Sequence, residues 1–213
     1  MFSEKLIATN GKSTFSYMLF FQLSLSSIIT MGVFAVDVVC GEFSSGYMKN
    51  LISYGHKRRN IYLAKAITAY IGACILAFIA PIIIAIINTY KNGFGEVFTS
   101  SSLLFLMRIF FMALFSHVAI VSIAVLISFT VKKVVAACLM ILGMDFINRA
   151  LNLIYVQKPD LRWVLDKDPY IQISLIFGEK LNRLQVVQPI VAFLCVILIS
   201  TVLGIYIFER TDI

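Results

Sequence analysis

Five long apolar stretches, at about residues 17–40, 61–87, 103–129, 134–156 and 188–207, constrain this chain more than anything else in it. A helix needs about 20 residues to cross a hydrocarbon core of about 30 Å, and each stretch is long enough. In lipid the backbone must satisfy its own hydrogen bonds, and these runs lack the two-residue alternation of barrel strands, so they are expected as helices. The expected fold is all-α: one polytopic transmembrane helix bundle over residues 1–213. Composition agrees, because 60% apolar and 14% charged residues, with a mean hydropathy of +0.93, would leave a soluble protein without a polar surface. No length remains for a second, soluble catalytic domain.

Basic residues collect in the short links between the apolar runs. Lys49, Lys57, Arg58 and Arg59 follow the first run, and Lys132 and Lys133 separate the third from the fourth. Both links are expected on the cytoplasmic side. Residues 91–102 and the mixed-charge segment 157–187 then fall outside, and the tail FERTDI returns to the cytoplasm. The net charge of +7 fits headgroup-facing links, and no basic stripe carries interleaved aromatics, so nucleic acid is not an expected partner. This orientation places the polar residues 1–16, which contain no signal peptide, on the outside.

Residues 41–60, GEFSSGYMKNLISYGHKRRN, are too polar to span and too patterned for a plain loop. Phe43, Tyr47, Leu51 and Tyr54 recur at helical spacing, with Met48 and Ile52 beside them, while Glu42, Ser45, Lys49 and Ser53 take the other face. The pattern predicts an amphipathic interfacial helix over about 42–55, stopped at Gly55 and followed by His56, Lys57, Arg58 and Arg59, which suit the helix's negative end and nearby headgroups. By its physics alone the segment is equally a membrane-surface connector.

The run from Asp37 to Ala66 resembles the signature between the second and third spans of ABC type-2 transporter permeases. In that family a Glu is followed four residues on by a Gly, then a basic residue and an apolar pair, then a small residue with basic residues, then a Lys opening the next span. The matching positions are Glu42, Gly46, Lys49, Leu51 with Ile52, Gly55 with Lys57 to Arg59, and Lys65. The resemblance implies a permease subunit of an exporter in the bacterial plasma membrane. It implies pairing with a second permease, identical or not, and with cytoplasmic ATPase subunits that bind the ATP. Glu42, Phe43, Gly46, Tyr47, Lys49, Leu51 and Arg58 would belong to the helix that couples to the ATPase. The family has six spans with the N-terminus inside, whereas five are visible here. A leading span ahead of Met1, with residues 1–16 as an extracellular link, is the expected account, and a five-span variant is the alternative.

Charged side chains within spans need a reason, since each costs about 2.5–3.5 kcal/mol at a helix centre. Asp37 and Lys65, near span ends, are expected to snorkel to the surface. Asp145 and Arg149 stand four apart in the fourth run beside Asn148 and Asn152, and Arg108 is at similar depth in the third. Asp145 is expected to pair with Arg149 or Arg108, either to fix helix register or to line a polar path. His117 is expected to be a packing histidine. Ala69, Ala73 and Ala77 form a strip for close helix approach, and Pro81 is expected to bend that helix. Cys40, Cys74, Cys138 and Cys195 lie in apolar runs without ligand or disulfide spacing, so they are expected to be helix-contact fillers.

The sequence holds no phosphate-loop motif, no G-x-S-x-G and no H-E-x-x-H, so no catalytic role, cofactor or metal is expected in this chain. A membrane immunity or sensor subunit that binds an antimicrobial peptide is the alternative from another class. A secondary transporter is a third, though matched broken helices are not evident.

Overall fold

In a computed structural model of the protein, residues 10–25, 27–157 and 183–211 are described, and every element among them is an α-helix. The helices are α1 (Gly11–Leu25), α2 (Ser27–Ser44), α3 (Tyr47–Ser53), α4 (Arg58–Asn92), α5 (Ser100–Val131), α6 (Val134–Gln157) and α7 (Arg183–Arg210). Four are long and apolar enough to cross a membrane, or five if the bent pair formed by α2 and α3 counts as one span. The all-α polytopic bundle expected from the sequence is therefore the fold. Two boundaries differ from expectation: helix starts at Gly11, inside the stretch expected to be an extracellular link, and the last helix is already formed at Arg183. Most of the expected outer segment 157–187 lies outside the described residues.

The ends of the helices follow local chemistry. Gly93, at φ 78°, closes α4 by donating its N–H to the Thr89 carbonyl. Thr99 opens α5, its hydroxyl accepting from the Ser102 N–H. Lys132 then terminates α5 in the left-handed region, at φ 59°, and the two-residue link Lys132–Lys133 returns the chain as α6. α4 continues through Pro81 without a break, so the proline is absorbed within one helix from Arg58 to Asn92. The Ala69, Ala73 and Ala77 strip is buried, as expected, and Ala66 extends it by a turn.

α5 is the axis of the bundle. It buries 61% of its most apolar stretch, against 28% for α4, 17% for α7 and 11% for α6, and it packs on α7, α2, α4 and α6. Its buried face carries Ala113, Ser116, Ala119, Ser122, Ala124 and Ser128, and small side chains let neighbouring backbones approach. Ser122 and Ser128 donate to the Ala119 and Ala124 carbonyls, each at 2.7 Å, so their hydroxyls are satisfied without a partner helix.

α1 and α2 together run antiparallel to α4. The Gly11 N–H meets the Gly93 carbonyl, Asn88 meets Thr14, the Phe34 ring lies against Gly72, and Glu42 meets Lys65. Over the passage from 11 to 42 on one side, the partner positions fall steadily from 93 to 65. At 1.5 Å per residue both sides advance by more than 40 Å, about one membrane thickness with its headgroups. α1 and α2 together thus match the length of the one crossing expected of the first run. Among the described residues α6 stays peripheral, touching α2 and α5 closely.

Candidate functional site

At the basic end of the bundle α2, α5 and α7 finish and α4 begins, and their terminal aromatics meet. The Phe129 ring lies 4.5 Å from Tyr62, 4.8 Å from Phe208 and 5.7 Å from Phe43, the last edge to face at 85°. Phe129, Tyr62 and Phe208 are fully buried. Gly204 makes the approach of Tyr62 possible, because a Cβ there would collide with the ring. The Tyr62 hydroxyl donates to the Ser200 carbonyl at 3.4 Å. One aromatic knot therefore ties four helices at a single level.

The patterned segment 41–60 leaves this knot. Its structure corrects the expectation of one amphipathic helix over 42–55: Glu42 and Phe43 belong to the last turn of α2, and only Tyr47–Ser53 forms the separate helix α3. The reason is Gly46, which sits at φ 75° and turns the chain by 65° between the two. Left-handed backbone costs a side-chain-bearing residue about 1–2 kcal/mol, so the turn settles on the glycine. Phe43 consequently faces the knot, and Tyr47 and Leu51 act on a different helix from it. Gly55, at φ 83°, ends α3 as expected, with its N–H on the Ile52 carbonyl and that of His56 on the Leu51 carbonyl.

α3 is anchored from both sides. Met48 is fully buried, and Leu51 and Ile52 pack against the core, while Lys49, Asn50, Ser53 and Tyr54 are exposed. One residue pair fixes the bend to the bundle: Glu42 on α2 forms an ion pair with Lys65 on α4, and the Lys65 ammonium also lies 5.9 Å from the Tyr47 ring. Lys65 therefore does not snorkel to the surface alone, as the sequence suggests; its partner is 23 positions away. The second Glu42 carboxylate oxygen, Oε2, is buried without a hydrogen-bond partner among the described residues. Lys132, at the corner leaving α5, places its ammonium 5.8 Å from the Phe43 ring.

Arg58 also departs from its expected place. It serves α7 instead of the end of α3, donating through Nη1 to the Phe208 carbonyl at 3.0 Å and to the Thr211 carbonyl. A guanidinium on the final carbonyls of a helix satisfies acceptors that have no intrahelical partner. Models of known protein families were compared with the chain and none matches, and the curated proteins likewise contain no match.

The other predicted residues are not part of this end. Asp145 pairs with Arg149, Nε donating to Oδ2 at 2.7 Å within α6, whereas the guanidinium of Arg108 lies 5.2 Å from the Phe105 ring on α5. Of the two pairings expected for Asp145, the local one is formed. His117 is fully buried, with Nδ1 2.7 Å from the Ala113 carbonyl and its ring 5.8 Å from Phe78; it packs as expected, but Nε2 has no hydrogen-bond partner among the described residues. All four cysteines are free; Cys40 fills a contact, 3.6 Å from the Ser128 carbonyl, but Cys195 is exposed on the outside of α7.

At the far end a polar clasp closes the bundle. Lys12 pairs with Glu96 at 3.0 Å, Ser102 donates its hydroxyl to the same carboxylate, and the Lys12 N–H reaches the Phe94 carbonyl. The hydrogen bonds from Ser102 and Lys12 hold the Glu96 carboxyl below the usual carboxylate range. An apolar groove of about 560 Å³ opens nearby between α1, α4 and α5, lined by Phe15, Ile86, Tyr90 and Phe110 among others. Among the described residues no group of three or more potential metal ligands comes together.

Proposed function

We propose that the chain is the membrane-spanning permease subunit of an ATP-driven exporter, working with a second permease and a separate cytoplasmic ATPase subunit. The observation that carries this reading is the bent α2–α3 element. Its α3 arm is short and amphipathic, with Lys49 on its exposed side, and the element is tied to two membrane-crossing helices by Phe43 in the knot and Glu42 on Lys65. A force applied to α3 by a cytoplasmic partner would move α2 and α4 together, because the tie is made at the bend itself. The exposed Lys49, Asn50, Ser53 and Tyr54 are what such a partner would meet. The motif from Glu42 to Lys65 supports the same assignment by resemblance, and the basic end would face the cytoplasm of a bacterial cell.

The test is co-purification with a phosphate-loop ATPase subunit, together with substrate-dependent ATP hydrolysis and export in liposomes. Glu42→Lys places two cations at the bend, and Gly46→Val forces a branched side chain into left-handed backbone. Both variants should insert into the membrane while ATPase stimulation and export fall together, by at least about tenfold if one ion pair of about 1.4 kcal/mol transmits the motion. Full ATPase binding and export in both would reduce α3 to a surface connector and end the assignment.

A further inference from the structure

Beside the knot, on the outer surface of the same end, a polar cavity of about 590 Å³ lies between the start of α4 and the end of α7. Lys57, Arg58, Arg59, Asn60, Leu63 and Glu209 line it. Arg58 is committed to the α7 carbonyls and fixes the two walls together. Lys57 and Arg59 are exposed, and neither side chain makes a hydrogen bond or ion pair among the described residues. Three cations thus face one carboxylate. The cavity calls for an anion.

The surface leading away from it identifies the kind of anion. Leu63 forms the apolar side of the cavity, and Ile67, Ile71 and Ile75 continue from it at four-residue spacing, all three more than half exposed. From Leu63 to Ile75 is about 18 Å of helix, close to the depth of one leaflet of a bilayer whose core is about 30 Å thick. A soluble phosphate or an acidic peptide has no use for such a stripe, whereas an acyl chain does. We infer that this cavity binds the headgroup of an anionic phospholipid from the leaflet at the basic end, with its acyl chain along the Leu63–Ile75 stripe. The phosphate would sit between Lys57 and Arg59, and Glu209 would accept from headgroup hydroxyls, which suits a glycerol headgroup. Arg210 is placed on the Tyr206 ring, 4.1 Å away, and is not needed for the site. The inference does not depend on the transport reading.

The experiment is native mass spectrometry of the purified chain from mixed micelles holding equal phosphatidylglycerol and phosphatidylcholine, reading which lipid is retained. The wild-type chain should retain the anionic lipid preferentially. Each cation removed should lower that preference about fivefold, so Lys57→Gln with Arg59→Gln should nearly abolish it. Leu63→Trp, which fills the cavity without changing charge, should lower it as well, and helicity by circular dichroism confirms that each variant is folded. Lys91→Gln removes one charge at the far end and should change nothing. A loss in Lys91→Gln equal to that in Lys57→Gln alone would mean that net charge alone attracts lipid, and would overturn the site. So would a preference untouched by the double variant. If that variant instead lost only a co-purifying ATPase, the two cations would belong to a protein interface and the lipid assignment would fall.

Discussion

The two ends of the bundle are closed by opposite means. At the basic end the closure is apolar and buried: Phe43, Tyr62, Phe129 and Phe208 interlock, and the ion pair of Glu42 with Lys65 is partly shielded, with side-chain exposures of 26% and 20%. At the far end the closure is polar, resting on Lys12 and the more exposed Glu96, with side-chain exposures of 22% and 40%, and on the buried Ser102. Packing and shielded charge are insensitive to salt and pH near neutrality, whereas an exposed clasp is screened within about 10 Å at 0.1 M salt. The contrast teaches that this molecule is closed by aromatic packing where α3 leaves the bundle and by charge and hydrogen bonds where α1 meets the link after α4.

The largest expected effect comes from breaking the knot. Phe129→Ala leaves a hole among three other aromatic rings. In lipid the ring loses no hydrophobic transfer energy when helices separate, so only the cavity and contact losses remain, about 3 kcal/mol. Unfolding in mixed SDS micelles should register it, and a loss under about 1 kcal/mol would mean that the rings touch without holding the helices.

A smaller effect, about 2 kcal/mol, is expected for Lys65→Met, which leaves Glu42 with neither carboxylate oxygen bonded. Glu42→Gln combined with Lys65→Met should cost less than Lys65→Met alone. A double-mutant cycle reads the coupling, and additive losses would show that the two side chains act independently.

The smallest effect belongs to the clasp. Glu96→Gln should loosen the amides of Gly11 and Lys12 in hydrogen exchange and leave global unfolding almost unchanged. Because the folded-state pKa of Glu96 is lowered, its stabilising contribution is complete above the unfolded carboxylate's pKa. It disappears as pH falls through the lowered folded value. Exchange at these amides should therefore be flat from neutral pH down to the ordinary carboxylate range, after correction for the intrinsic rate, and rise only below it. If protection changed around pH 7 instead, the clasp would depend on some other group.

The expected ion pair in the fourth run was legible because Asp145 and Arg149 stand one helical turn apart, so their meeting is a local matter. The stop at Gly55 was legible for the same reason. The break at Gly46 was partly so: a glycine in a helical pattern signals either permissive backbone or a turn, and the amphipathic periodicity across it pointed to continuity. Gly46 meets nothing within 4 Å of where a Cβ would lie, so its role is conformational and leaves no packing signature. Arg58 was visible as a cation after α3, yet the carbonyls that it serves lie 150 positions away, and no local rule connects them.

By itself the sequence determined the solvent, the helical class, the apolar runs and the basic links between them, because hydropathy, charge and turn chemistry are properties of neighbours along the chain. Only the tertiary structure decided that α5 is the axis, that Lys65 finds Glu42, and that four aromatics share one level. The physical reason is the solvent. In water a buried face is apolar and an exposed face polar, so periodicity reveals which side packs inward. In a bilayer both faces are apolar, and α5 and α7 read alike, with mean hydropathies of 2.5 and 2.8, although one is mostly buried and the other mostly faces outward. What separates them is the fit of small side chains such as Ala113, Ser116 and Ala119 against particular neighbours, and that fit exists only once the helices have met.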